Sequence, residues 1–375
     1  MLSPNALRVL DSLDVYEKIK KQGYNFETCS FKTSDGETKG VYYFGHEKIY
    51  GYKGLRIYRM DIFNTLRSML EERKVPIHFG KKFSHVVSES EENVTFQFAD
   101  GSEKTTPLLV GADGIHSKVR RYIYPGLLPS FSGIVAVTSA IPRSAIRLPE
   151  KDPNYSLPAQ IATSTGGFIL APQGADGSEL LIGRQHVFAE RNRQGWDDLN
   201  ADKKQLAALI QSDIDSQPDI VKSALEAINP ERIQTWPFYT VPRLESWSSK
   251  SNRVVILGDA AHAIPPTTGQ GVNQAFEDIY VFALLLGKQA EELDWDQAIK
   301  LWQSYRVERV DRLLELTRKL NNNRLPLSEQ MKLAKNDVWN DETGKGDPEE
   351  MSWLFGPTLD NVVKEWVSSR SNINA

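Results

Sequence analysis

Apolar residues recur at helical spacing from the start of the chain: Leu7, Leu10, Leu13 and Tyr16 fall three apart behind Ser3 and Pro4, a favoured cap and first helical residue. This predicts an amphipathic helix to about Lys21, with polar turns and short strands following to about Gly54. A second helical stripe, Ile62, Leu66, Met69 and Leu70, opens at Tyr58-Arg59-Met60-Asp61 and has to close before Pro76. The period then drops to two. Val86/Val87, Val94, Phe96 and Phe98 alternate with polar residues, and Asp100-Gly101 supplies a hairpin turn.

Two short runs are apolar throughout, as strands buried on both faces of a parallel sheet are: Leu108-Leu109-Val110-Gly111-Ala112 and, after Arg253, Val254-Val255-Ile256-Leu257. The first enters Asp113-Gly114 and a helix with Ser117 near its cap. The second enters Gly258-Asp259, then Pro265-Pro266, Gly269 and Gly271, before a long apolar helix from Val272 to Leu286. Between the two runs the pattern changes from Gly126 to about Gln185, where strands are broken by Pro and Gly. A separate, mostly antiparallel sheet is expected there. A helical stretch from Asp202 to Ile228 follows, and Trp236-Pro237-Phe238-Tyr239 leads back toward the first domain. The C-terminal part predicts an Arg-rich amphipathic helix from Asp296 to Leu320. A polar loop from Asn340 to Asp347 and one short helix carrying Trp353 and Trp366 complete it.

Composition narrows the function classes. At 375 residues, 40% apolar and 25% charged, the chain is ordinary globular material for two or three domains, not a disordered, collagenous or disulfide-stapled protein. With 45 basic against 49 acidic residues it lacks the basic excess that nucleic acid or an anionic membrane requires. The N-terminus has no secretory pattern, and the apolar segment Ile279 to Leu286 is far too short for a bilayer span. The lone Cys29 makes no intramolecular disulfide. A cytoplasmic protein is the expectation, and the oligomeric state is not legible.

The candidate chemistry sits where the two buried strands end. Ligands of open α/β sheets bind beyond the carboxyl ends of the strands, and Asp259 is delivered there with acceptor oxygens suited to sugar or ribityl hydroxyls. Gly269 and Gly271 let the backbone lie close to a flat ligand, and the helix after them turns its free N–H groups toward it. Taken alone, Asp259 also suits a simple helix cap, and Asp113-Gly114 an ordinary strand-to-helix turn. Arg120 suits a carboxylate or phosphate, and Arg59 either a diphosphate or solvent. His262 reads as a relay or as a packing residue. Trp236, Phe238, Tyr239, Arg184 and His186 read as pocket lining or as sheet core and surface. No His pair has metal-ligand spacing, no Gly-x-Ser-x-Gly is present, and Cys29 has no neighbouring His, so neither a metal site nor a hydrolytic nucleophile is expected.

The string Leu257-Gly258-Asp259-Ala260-Ala261-His262-Ala263 with Gly269-Gln270-Gly271-Val272-Asn273 resembles one motif of FAD-dependent aromatic-ring monooxygenases of the salicylate hydroxylase and p-hydroxybenzoate hydroxylase type. Leu109-Val110-Gly111-Ala112-Asp113-Gly114 with Ser117 and Arg120 is similar to a second, Arg59 matches a third position, and Ser3 to Leu7 resembles the helix after the family's first βαβ unit. The resemblance spans roughly Leu2 to Leu320 and implies FAD held through Arg59, Asp113, Gly114, Asp259, Gly269, Gly271, Val272 and Asn273. It implies NADH or NADPH as reductant, oxygen as co-substrate and an aromatic or other electron-rich small molecule as substrate. It names no catalytic residue. The family's opening Gly-x-Gly-x-x-Gly unit has no counterpart in this sequence, so a unit of about 30 residues or more is expected to be missing.

The fold class implied is α/β: an N-terminally truncated, Rossmann-like, three-layer FAD-binding domain interleaved with an antiparallel-sheet substrate domain, plus C-terminal helices. The boundaries expected are 1–128 and 230–300 for the flavin domain, 129–229 for the substrate domain and 301–375 for the helical region, with substrate between flavin and sheet. Two further readings stand beside the monooxygenase: a truncated, non-catalytic homologue that binds flavin weakly or not at all, and a flavin-dependent oxidase or reductase on the same fold.

Overall fold

A computed structural model describes residues 1–149, 152, 155–289, 294–325, 327–338 and 348–371; the loop expected at Asn340 to Asp347 lies outside them. In chain order the first strands are β1 (Tyr24–Phe26), β2 (Thr28–Lys32), β3 (Thr38–Tyr43), β4 (Gly54–Arg56), β5 (Phe83–Glu89), β6 (Val94–Phe98), β7 (Glu103–Thr106) and β8 (Leu109–Gly111). They continue with β9 (Ser130–Pro142), β10 (Ala159–Thr163), β11 (Gly166–Gln173), β12 (Glu179–Val187), β13 (Gln234–Thr240) and β14 (Val254–Ile256). The helices begin with α1 (Pro4–Ser12), α2 (Tyr16–Ile19), α3 (Glu47–Tyr50), α4 (Arg59–Glu72), α5 (Lys118–Ile123), α6 (Arg193–Ala201) and α7 (Lys203–Ile210). After them come α8 (Asp219–Glu226), α9 (Asp259–His262), α10 (Gly271–Gln289), α11 (Trp295–Asn322), α12 (Leu327–Gln330), α13 (Ser352–Phe355) and α14 (Leu359–Ser371).

The helix expected to run to Lys21 is two helices. Asp14 turns left-handed at φ 62°, and the Val15 and Asp14 N–H groups reach back to the Leu10 and Asp11 carbonyls, a Schellman closure that a three-residue apolar spacing cannot foretell. The single short helix expected to carry Trp353 and Trp366 is likewise two, α13 and α14, separated by Gly356-Pro357-Thr358.

The chain divides into two compact units, each built from three stretches: residues 1–66, 131–238 and 315–356 in one, and 67–130, 239–314 and 357–375 in the other. The first holds a sheet in the order β13-β9-β12-β11-β10-β2-β3. The β9–β12, β12–β11, β11–β10 and β2–β3 pairs are antiparallel, whereas β10 runs parallel to β2, Ala159 opposite Ser30. Alternate residues of one face, Val135, Val137, Ile161, Phe168, Leu170, Leu180 and Ile182, pack against Trp196, Leu206, Ile210, Val221 and Leu225 of α6 to α8. Each such side chain contributes about 1.5–3 kcal/mol by leaving water.

In the second unit β5, β6 and β7 form an antiparallel meander, and β8 pairs in parallel with β14. Val254, Val255 and Ile256 are fully buried, as the unbroken apolar run predicts. Beside them Trp302 of α11 packs on Trp247 and on Phe282 of α10, with ring centroids 5.5 and 5.1 Å apart. Among the described residues no helix is long and apolar enough to cross a membrane.

Candidate functional site

Parallel register brings the two motif turns to one edge. Leu109 lies opposite Val254 and Gly111 opposite Ile256, so Ala112-Asp113-Gly114 and Gly258-Asp259 leave the sheet side by side at the carboxyl ends of β8 and β14. Gly114 has φ +77°, where a side chain is strained, and open space where a Cβ would stand. Ser117 caps α5, accepting from the Arg120 N–H at 2.8 Å. Asp113 adds a second cap: its Oδ2 accepts from the Lys118 and Val119 N–H groups at 2.7 and 3.2 Å, and its Oδ1 from the Ser117 hydroxyl. These bonds stabilise the turn and the start of α5.

Arg120 joins the two turns. Its Nη2 donates to the Ile115 carbonyl at 2.6 Å, on its own turn, and its Nη1 to the Ala260 carbonyl at 2.9 Å and more weakly to that of Asp259 at 3.5 Å. The side chain is 1% exposed, and burial lowers its pKa. The sequence suggested Arg120 as a ligand for carboxylate or phosphate. Its planar fork is instead spent on backbone carbonyls, as a clip.

Beyond β14, Gly258 takes φ +58°, ψ −141°, and a Cβ there would stand 3.1 Å from the Ala275 Cβ, so glycine is required both for the turn and for the approach of α10. Asp259 is exposed while Gly258, Ala260 and Ala261 around it are buried. Gly271 opens α10, and the nearest atom to a Cβ on it would be the Asp259 Oδ1 at 3.8 Å. Asn273 is fully buried and donates to the Gly269 carbonyl at 2.7 Å, closing the loop. Val272 projects outward, 47% exposed. The turn therefore offers one exposed carboxylate, a cradle kept open by Gly271, and the N-terminus of a 19-residue helix. This set of groups fits FAD: an acceptor for ribityl hydroxyls, and N–H donors with a positive dipole end for an electron-rich ring. Among the described residues no cluster of His, Cys, Asp or Glu is arranged to hold a metal.

Directly behind the turn lies an ionic network that the sequence reading passed over. Asp278 of α10, fully buried, accepts from the Gly258 N–H at 2.8 Å and from His262 Nε2 at 2.6 Å on one oxygen, and from Arg306 Nε at 2.7 Å on the other. Burial by itself raises the Asp278 carboxyl; His262 and Arg306 outweigh it and hold it at about 2. Since the carboxylate is ionised, the His262 proton sits on Nε2, which makes His262 a hydrogen-bonding residue of the framework. Glu277 next to it pairs with Arg306 and with Arg309. The signal was present as adjacent acids on an apolar helix and arginines on the next, but only the fold shows that they meet.

The remaining sequence candidates lie in the first unit, except Tyr239, which packs beside the Gly114 turn. Arg59 starts α4 with its guanidinium 4.7 Å from the centre of the Trp236 ring, which is half exposed. Arg184 faces the helices: it is 6% exposed, donates to the Ile210 carbonyl at 2.6 Å and pairs with Asp213. His186, two residues on, shares that face, and burial pushes it down to about 4. Both therefore belong to the packed side of the sheet. Phe238 is buried, and Tyr239 meets His116 edge to face at 5.5 Å.

Sheet, turns and glycines together define a flavin-binding oxidoreductase, and comparison with known proteins gives the family. Residues 1–318 match the model of an FAD binding domain, and the chain belongs to that family. It is 27% identical over 365 residues to 3-amino-4-hydroxybenzoate 2-monooxygenase PtmB3 of Streptomyces platensis, covering 95% of this chain and 85% of that one. It is 24% identical to 6-hydroxynicotinate 3-monooxygenase of Bordetella bronchiseptica over 327 residues, 83% of this chain and 78% of the relative. A salicylate hydroxylase substrate complex superposes with a TM-score of 0.75 at 21% identity, over 97% of this chain and 89% of that one. Klebsiella pneumoniae HpxO with FAD and uric acid does so at 0.72 and 18%, over 96% and 86%. The chain is thus an FAD-dependent enzyme of the monooxygenase class with the α/β fold of those neighbours.

Proposed function

We propose that this enzyme hydroxylates an aromatic small molecule, using NADH or NADPH and oxygen, with FAD held at the paired turns of β8 and β14. The observation that carries the site is the exposed Asp259 beside Gly271 at the N-terminus of α10, clipped to the Gly114 turn by Arg120. The relatives named for 3-amino-4-hydroxybenzoate, 6-hydroxynicotinate and salicylate support an aromatic, carboxylate-bearing substrate class.

Bound FAD supplies the redox chemistry, taking electrons from the nicotinamide and activating oxygen. In this proposal Asp259 accepts hydrogen bonds from the ribityl chain, and Gly271, Val272 and Asn273 offer backbone N–H groups to the ring. Asp113 and Gly114 shape the diphosphate side. With both Asp113 oxygens engaged on Ser117 and the first N–H groups of α5, its part there is to hold the turn. Arg59 offers an exposed guanidinium suited to an anion. Gly269 permits the loop that seats Asn273. The antiparallel sheet within 129–229 is assigned to the substrate, the helical region from 301 closes the chain, and a cytoplasmic setting suits the nicotinamide.

The test is direct. The chain incubated with FAD should turn yellow, and an added aromatic carboxylate should accelerate NAD(P)H oxidation with one oxygen atom from O2 in the product. Asp259→Ala should lower FAD retention by tenfold or more, the range for hydrogen bonds to a charged group. A parent chain that stays colourless would reject the enzyme reading in favour of a non-catalytic homologue, and oxidation without oxygen incorporation would make it an oxidase or reductase.

A further inference from the structure

Asp278 is one of several buried charges that the proposed chemistry leaves unused, and it bonds directly to the residue before Asp259. We propose that it is a positioning residue for the flavin site, fixing from inside the protein the turn that presents Asp259. The inference rests on the assignment of Asp259 to FAD.

The argument is one of geometry. The residue just before Asp259 and the last residue of α9 both bond to one Asp278 oxygen, Gly258 through its N–H at 2.8 Å and His262 through Nε2 at 2.6 Å. Asp278 lies in the α10 helix that Gly271 opens, so one carboxylate ties both ends of α9 to the helix whose N-terminus faces the ligand. The helix is held in turn: Arg306 donates to the other Asp278 oxygen at 2.7 Å, and the Trp302 indole donates to the Asp278 carbonyl at 2.9 Å.

Apolar packing would bring α9 against α10 without fixing how the Gly258 peptide is turned. A directed acceptor does fix it, because the buried Gly258 N–H points inward to a fully buried carboxylate and is costly to leave unpaired. With Gly258 at φ +58°, rotation of that peptide swings the Asp259 Cα, and with it the carboxylate, away from Gly271. Burial alone would favour the neutral acid, and His262 and Arg306 together hold Asp278 ionised against it.

The experiment compares FAD affinity in the folded apoprotein, read by quenching of flavin fluorescence, with thermal stability read by circular dichroism. Asp278→Asn keeps the shape but has one acceptor oxygen for donors on two sides, and should raise the FAD Kd about tenfold or more, at a temperature where the variant is folded. Phe282→Leu, a packing change on the same helix, should lower the melting temperature and leave the Kd within about twofold. Equal Kd values for parent and Asp278→Asn, or equal weakening by Phe282→Leu, would overturn the proposal. Gly258→Ala covers the case in which Asp278→Asn does not fold: it leaves the Asp278–Arg306 pair intact while forcing the turn against Ala275, and should weaken FAD by the same order. Parental affinity in Gly258→Ala overturns the proposal as well. If the parent itself binds no FAD, the Asp259 assignment falls and this inference with it; if the parent binds and the variants match it, the inference falls alone.

Discussion

Replacing Arg120 by lysine tests whether the two motif turns form one site. The guanidinium makes two strong bonds in different directions, 2.6 Å to Ile115 and 2.9 Å to Ala260, with a third, long contact at 3.5 Å to Asp259. A lysine ammonium on a flexible stem retains the charge but reaches one carbonyl well, so one charge-assisted bond is lost, about 1.5–3 kcal/mol. Taking about 2 kcal/mol, the balance between joined and parted turns shifts by roughly 30-fold. If FAD requires them joined, its apparent Kd rises by up to that factor. Arg120→Met, which donates to neither carbonyl, should do more. A lysine at this buried position also sheds its proton more readily than in water, so the Arg120→Lys deficit should grow as pH rises from 7 to 9. Titration of apoprotein with FAD, followed by fluorescence quenching at both pH values, reads the effect. Parental Kd and melting temperature in both variants would show that the clip joins nothing that matters to the flavin.

Two further outcomes concern the first unit. His186 is pushed from 6.5 to about 4 by burial, so below pH 6.5 the unfolded chain takes up a proton that the folded chain refuses until about pH 4. Stability conferred by the neutral ring is present above pH 6.5 and lost across that window. His186→Phe should therefore show a smaller drop in urea midpoint between pH 7 and 4.5 than the parent, and an identical drop refutes the assignment. Phe168, 1% exposed between the sheet and α6 to α8, should cost about 3–5 kcal/mol on truncation to alanine, seen as a lower urea midpoint; a loss under about 1 kcal/mol would mean that this layer is not a packed core.

The elements legible in the sequence were those whose cause is local. Unbroken apolar runs marked β8 and β14, Asp100-Gly101 marked the β6–β7 turn, and Ser117 stood where α5 is capped. The end of α1 at Asp14 escaped notice because a left-handed aspartate leaves the apolar spacing undisturbed. Relations across sequence were beyond reach. Arg120 finds its acceptor 140 residues downstream at Ala260, so its type suggested an anion where its position supplies carbonyls. Glu277 and Asp278 lie in a stretch whose apolar pattern predicts only a helix, and only the fold brings Arg306 and Arg309 of α11 onto them. The parallel β2–β10 pair joins segments about 130 residues apart, which no periodicity encodes.

The division of each unit among three separated stretches bears on how the molecule is made. The first unit draws on residues 1–66 and then waits for 131–238 and 315–356, while the second waits for 239–314 and 357–375. During synthesis β1 can pair with β4 and β2 with β3 as soon as they emerge, but the free edge of β2 must wait for β10, a period in which chaperones matter. The same weave forbids excision: no single cut releases either unit intact, so a minimal flavin-binding fragment has to be built by rejoining ends rather than by trimming them.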